Sequence, residues 1–257
     1  MAPRIVLRSI ARRVLAVALA LLFFSDYFDG GTRTGGASHI VLWAWERPTD
    51  LREIDTAHVS VAYLASTLNI SGGDIREYTR HQPLLLPSGA RTIPVVRIEV
   101  DQNSHTSDLP IITTARMIED VFAKSKATSI QIDFDARVSE RPFYLALLQE
   151  LRTELPHGTR IAITAIASWC IYDTWIDSLP IDEAIPMLFR MGSDDRRVKD
   201  YINSGGLIRS TMAAGNVGIA LDEPIHPDLR GRTVYVFSVA PWTPKSIHRI
   251  ETMLGGF

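Results

Sequence analysis

The sequence predicts a (β/α)₈ TIM-type barrel preceded by an apolar N-terminal segment. Three observations carry that expectation. From residue 39 onward, eight apolar runs of strand length appear, most of them followed by helical patterns, which is the order of a parallel sheet with helical crossovers. Those units occupy most of a 257-residue chain, close to the usual barrel length of about 250 residues. The glycine-rich turns "SGGD" and "SGGL" do not follow a first strand, as a dinucleotide-binding loop does in the competing doubly wound open sheet.

The N-terminus comes first in the chain and differs from the rest. Arg4, Arg8, Arg12 and Arg13 precede an apolar run from Val14 to Phe24, and no acidic residue comes before Asp26. A basic segment followed by about 7–15 apolar residues is a secretory signal pattern. The run falls short of the roughly 20 residues of a membrane span. No clear small-x-small cleavage site follows, so an uncleaved anchor stands beside a cleaved signal, with a buried amphipathic helix as the alternative. The expected layout is a signal peptide or membrane anchor over 1–25, a flexible linker over 26–38 containing "GGTRTGGAS", and the barrel over 39–257. It places the protein outside the cytoplasm, periplasmic or extracellular, or held at the inner membrane through residues 5–24.

The strands are expected at His39–Glu46, His58–Ser66, Arg91–Asp101, Ser129–Ala136, Arg160–Ser168, Glu183–Gly192, Asn216–Asp222 and Thr233–Ala240. Each is a short run rich in branched and aromatic residues. Pro94 falls near the start of its strand, where a missing N–H matters less. Helices are expected over Leu109–Lys126, Arg141–Leu155, Asp194–Asn203 and Pro244–Leu254. The first has Ile111, Ala115, Ile118 and Phe122 at helical spacing, and the second stops at Pro156 and Gly158.

Composition narrows function. Hydrophobic residues make up 46% and charged residues 22%, with a formal net charge of −2, a balance that does not suggest a nucleic-acid binder, which needs a basic face to neutralise phosphates. A single cysteine, Cys170, forms no internal disulfide, and the seven histidines show no H-x-H or H-E-x-x-H pair. A metal site built from Glu99, Asp101, Asp133, Asp135 and His105 is a weaker alternative. No G-x-S-x-G elbow occurs, and Cys170 reads as buried and inert. No cofactor is called for.

The chemistry-bearing stretch is "SIQIDFDA" over 129–136. Ile130, Ile132 and Phe134 share one face; Gln131, Asp133 and Asp135 share the other. Surrounding helices demand the apolar face, so the polar set points into the barrel. Two carboxylates there are costly unless they meet polar groups or ligand, and barrel sites sit at strand C-terminal ends. By the same alternation, Arg97, Glu99 and Asp101 oppose Val96, Ile98 and Val100 on the preceding strand. An arginine among carboxylates keeps some ionised, and crowding raises the pKa of one. That is how two carboxyl groups divide into acid and base. Residues i and i+2 lie about 6.5–7 Å apart along a strand, which fits either glycosidase geometry. A buried structural ion-pair network is the alternative.

Other strand ends extend the set. Trp45 and Glu46 close the first strand, Trp169 and Cys170 the fifth, Arg190 the sixth, Asp222 and Glu223 the seventh, and Trp242 follows the eighth. Carboxylates grip hydroxyls and indoles stack on the apolar face of a pyranose. The expected site is therefore Asp133 and Asp135 as catalytic groups, with Glu46, Trp45, Arg97, Glu99, Trp169, Arg190 and Trp242 binding a carbohydrate or other small polar ligand. A non-catalytic glycan-binding barrel and a membrane-tethered scaffold are the rival functions.

The blocks "IQIDFDA", "FYLALLQELRTELP", "ITAIASWC" and "DEAIPMLFRMG" closely resemble a bacterial family catalogued as domain of unknown function 3142, over roughly Val41 to the C-terminus. That resemblance implies a barrel-like fold. "IQIDFDA" is more distantly similar to the fourth-strand D-x-D-x-E motif of chitinase-like family 18 glycoside hydrolases, and "MLFR" resembles their sixth-strand M-x-Y-D motif. On that likeness Gln131 replaces the first Asp, Asp133 keeps the second, and Asp135 stands where the acid Glu would be. Phe189 replaces the Tyr and Arg190 the Asp that hold an N-acetyl group in the substrate-assisted mechanism. The likeness implies a glycoside hydrolase with Asp135 as general acid.

Overall fold

The computed structural model describes residues 37–254. Eleven strands form: β1 His39–Ala44, β2 Thr49–Asp50, β3 Val59–Ser71, β4 Asp74–Thr79, β5 Leu84–Leu85, β6 Thr92–Val100, β7 Ser129–Asp133, β8 Arg160–Ile166, β9 Glu183–Met187, β10 Asn216–Ala220 and β11 Thr233–Phe237. Four α-helices form among the described residues: α1 Ile111–Ser125, α2 Arg141–Glu154, α3 Asp195–Asn203 and α4 Pro244–Leu254.

Eight of the strands are parallel neighbours in the order β1-β11-β10-β9-β8-β7-β6-β3, and β1 pairs with β3 to close the ring. This is the TIM-like barrel expected, and each of the eight predicted runs supplies one wall strand. The helical shell is thinner than eight units. Crossovers with full helices join β6 to β7, β7 to β8 and β9 to β10, while a π-turn and a 3₁₀ turn join β8 to β9. No helix lies among the described residues between β1 and β3, β3 and β6, or β10 and β11. Short strands β2 and β5 pair there instead. Residues 37 and 38 belong to the barrel rather than to a linker. Ala37 is buried, its N–H donates to the Leu254 carbonyl, and Ser38 N–H donates to Arg232. The predicted signal or anchor falls outside the described residues. No helix among the described residues is long and apolar enough to cross a membrane.

The alternation sorts as physics requires. Ile130, Ile132 and Phe134 pack outward with Ile118 of α1 and Leu147, Leu148 and Leu151 of α2, burying apolar area worth about 25 cal/mol per Å². Inside the ring Val41, Val95, Ala162, Ile185, Ala220 and Tyr235 fill the lumen. Gly218 of β10 sits at a close approach: a Cβ there meets Ile185 Cγ2 and the Pro186 carbonyl at 3.3 Å, so those neighbours would have to give by a few tenths of an ångström. The β9–β10 seam is thin at this point, a single registered pair between Gly218 and Met187, beside Pro186, which has no N–H to donate.

One element was not anticipated. β3 runs to Ser71, past the barrel rim, and turns through Gly72-Gly73 into antiparallel β4. Gly72 has φ +60, as the first position of a two-residue primed turn needs.

Two polar groups, one buried and one half-buried, give tests. Tyr144 of α2 is fully buried against Phe134, and its hydroxyl has no hydrogen-bond partner among the described residues. Tyr144→Phe is expected to leave stability unchanged or raise it by up to about 1 kcal/mol in a denaturant melt, whereas Leu148→Ala costs about 2–5 kcal/mol. His39, whose Nε2 lies 2.8 Å from Ser60 Oγ, is pushed from 6.5 to about 4 by burial and then by Arg91 and His58. The native state holds it neutral, so its contribution is intact above pH 6.5 and is lost as pH falls toward 4. His39→Gln is expected to flatten the pH dependence of stability across that window.

Candidate active site at the barrel mouth

Asp133 is the last residue of β7 and is 5% exposed. Register places Arg97 of β6 beside it, and Arg97 Nη1 donates to Asp133 Oδ2 at 2.9 Å. From the other side Thr164 Oγ1 of β8 donates to Asp133 Oδ1 at 2.7 Å. Both carboxylate oxygens are therefore engaged by inward side chains of the two flanking strands, which offsets the cost of burial. Arg97 also donates through Nε to Glu99 Oε1 at 2.8 Å. Its guanidinium is disfavoured by partial burial, but Asp133 and Glu99 together raise its pKa. Gln131, deeper in the barrel, is fully buried with both amide atoms unpartnered among the described residues.

The strand ends at Asp133, earlier than the predicted Ala136, and Asp135 lies on the loop beyond it. The alternation survives: Phe134 and Ala136 are buried, and Asp135 lines the cavity. The loop is clamped behind Asp135. Arg137 N–H donates to Glu140 Oε2 at 2.6 Å, the Arg137 guanidinium pairs with the same buried carboxylate, and it also reaches the Asp101 carbonyl. Asp135 makes no hydrogen bond or ion pair with any described residue. Its carboxyl is raised above the usual range, first because the recess withholds water from the charged form, then because Asp133 repels it, with Arg97 opposing both.

The cavity over these groups has a volume of about 1090 Å³. Of the predicted ligands, Trp45, Glu46, Arg97, Glu99 and Arg190 line it together with Asp133 and Asp135. Glu46 is partly committed, since its Oε1 accepts from the His81 and Gln82 N–H groups at 3.2 Å and so ties down the chain after β4. Arg190 adopts φ +52, a conformation costly for a non-glycine residue. Its N–H donates to Glu223 Oε2 at 3.0 Å, Nη2 donates to Asp222 Oδ2 at 3.3 Å, and the guanidinium lies 4.9 Å from the Phe237 ring centre.

Trp169 and Trp242 are corrections. Neither lines the cavity. Trp169 sits in the π-turn after β8, buried in the helical layer edge-on to Trp175. Trp242 is buried in the layer beneath α4 and donates its Nε1–H to the Trp43 carbonyl at 2.9 Å. Cys170 is fully buried and its thiol is pushed up by that burial, as the sequence indicated.

Several lining residues were not singled out. The β3–β4 extension contributes Thr67, Asn69, Tyr78 and Thr79, and the Gly-Gly turn within an alternating run was the signal available for it. Phe189 and Phe237 stack at 5.4 Å with planes 8° apart, and Trp43 meets both edge-on. The Phe237 ring is thus taken up by protein contacts. Trp45, half-buried beneath Arg97 at 5.5 Å, and Tyr78, 49% exposed, are the rings with surface left for a ligand. No group of three or more His, Cys, Asp or Glu among the described residues is placed to hold a metal ion. Comparison with known proteins gives no matching family model, no matching curated protein and no matching solved structure.

The geometry sets the sign of two shifts. Arg97→Gln removes the one cation that lowers Asp135 and is expected to move its titration upward in carboxyl-carbon NMR. Asp133→Asn removes the repelling charge and is expected to move it downward.

Proposed function

We propose that this barrel is a glycoside hydrolase-like protein acting on a glycan by carboxylate acid/base chemistry. One observation carries the reading: Asp135 has an unengaged carboxyl of raised pKa, open to a cavity and beside a second carboxylate. A raised pKa moves a carboxyl toward proton donation. In this reading Asp135 gives its proton to the glycosidic oxygen as the glycosidic C–O bond breaks, and water then adds at the anomeric carbon and returns a proton to the Asp135 carboxylate. Asp133, with both oxygens bonded to Arg97 and Thr164, serves chiefly to hold the Asp135 pKa up rather than to take protons. Trp45 and Tyr78 offer stacking surface, and Glu99 and Arg190 polar contacts to hydroxyls. The resemblance to domain of unknown function 3142 and the distant likeness to family 18 hydrolases belong to the same proposal. So does export, or anchoring through residues 5–24, which an intact mass of the native protein tests.

The engaged state of Asp133 also favours a second reading, a glycan-binding barrel without turnover, since both of its oxygens are already held by Arg97 and Thr164. Asp135→Asn separates the two. It is expected to abolish hydrolysis of a glycan panel while binding persists. Because the native state raises the Asp135 pKa, its charge disfavours folding above the unfolded value and the penalty fades as pH falls. The same variant is therefore expected to keep or slightly raise the thermal midpoint at neutral pH. Binding without turnover in the parent protein supports the second reading.

A further inference from the structure

The inward row that holds Asp133 continues beyond the barrel wall. Register pairs Asp133 of β7 with Arg97 of β6, Arg97 with Thr67 of β3, and Thr67 with Tyr78 of β4. Directly paired residues of neighbouring strands face the same side of a sheet. Tyr78 therefore shares a face with Asp133 three strands away, and both line the cavity. Neighbouring strands lie about 4.8 Å apart, so the row spans at most about 14 Å along the sheet. Trp45 stands at its near end, with the Arg97 guanidinium 5.5 Å from the ring centre. One ring is thus beside the carboxylates and a second is at the far end of the row.

The strand that carries Tyr78 is held firmly. β3 stays paired with β6 as far as Ile70 and Val100, and with β4 from Ser66 to Ser71. At the tip of the hairpin Gly72 N–H donates to Ser104 Oγ at 2.9 Å. At its base Arg80 donates to the Ala44, Trp45 and Arg47 carbonyls. Tyr78 itself is the large ring on an exposed and mostly polar strand. Its hydroxyl accepts from Arg76 Nη1 at 3.5 Å, which is long for a hydrogen bond. An exposed ring fixed on a rigid strand offers a ligand stacking area at little entropic cost. The cavity between the two rings is also large. Its volume of about 1090 Å³ sits at the top of the range of about 300–1,000 Å³ that small-molecule sites occupy.

We propose that Tyr78 forms a distal stacking subsite, so that the glycan bound here is an oligosaccharide lying along the row from Asp135 toward β4, not a mono- or disaccharide. A row of about 14 Å takes about three linked pyranose rings. The proposal rests on the glycan reading above and names the chain length that the site selects. Tyr78 is a specificity-determining residue in it: the ring holds a remote sugar unit and touches none of the reacting atoms.

The test is calorimetric binding of cello-, xylo-, malto- and chito-oligosaccharides, each from the monomer to the hexamer, to the full-length protein, and to Asp135→Asn where the parent turns a probe over. In the series that binds, affinity is expected to rise at least about fivefold between the dimer and the tetramer. Tyr78→Ala is expected to weaken the tetramer about three- to tenfold while the dimer changes by less than about twofold. Tyr78→Phe is expected to keep the gain, because the ring face and not the hydroxyl makes the contact. Affinity that is flat with length, or a gain that Tyr78→Ala leaves intact, overturns the distal subsite and leaves the glycan reading standing. A panel in which no series binds at any length overturns both.

Discussion

The row Arg97–Asp133–Thr164 across β6, β7 and β8 is the constraint on which the site depends. A carboxylate only 5% exposed is tolerated because a charge-assisted bond and a hydroxyl bond take its two oxygens. Those bonds exist only if three neighbouring strands turn the same alternate residues inward at matched height, which the parallel register provides. Once Asp133 is fixed there, its charge acts on Asp135 two residues on, and the Arg137–Glu140 clamp keeps the loop in place.

The rest of the barrel serves that row. Apolar residues and Gln131 fill the lumen below it. The stacked Phe189–Phe237 pair and Trp43 build one wall, and the β3–β4 extension adds Thr67, Asn69, Tyr78 and Thr79 to the lining. A lumen open at its mouth and filled by side chains below is a cup rather than a channel. Among the acids lining it, Asp133 and Glu99 share Arg97.

Much of this was legible because strand alternation is a property of local sequence. The facing of Gln131, Asp133 and Asp135 against Ile130, Ile132 and Phe134 needed no more than period two and a helical shell. The same reasoning placed Arg97 and Glu99 correctly. What it missed is tertiary. Trp169 and Trp242 stand near strand ends in the chain, but a residue past a strand end is no longer bound by the alternation, and a π-turn and a loop carry these two rings into the outer layers. The β3–β4 hairpin was cut short at Ser66, where the bulge between Leu64 and Ser66 breaks the register. The absent crossover helices could not be read from strand runs alone, because short β2–β5 pairing covers the barrel there instead. Asp194, which also lines the cavity, reaches it through the turn that follows β9.

The most direct test of the central claim is a crystal structure of the protein soaked with a mixture of oligosaccharides. The account predicts sugar density in the cavity above Asp133, with an oxygen or nitrogen of the ligand within hydrogen-bond distance of Asp135 and a ring against Trp45. A structure in which the inward face of β7 lies against α1 and α2, or in which side chains close the mouth and sugar is found only elsewhere, would contradict it.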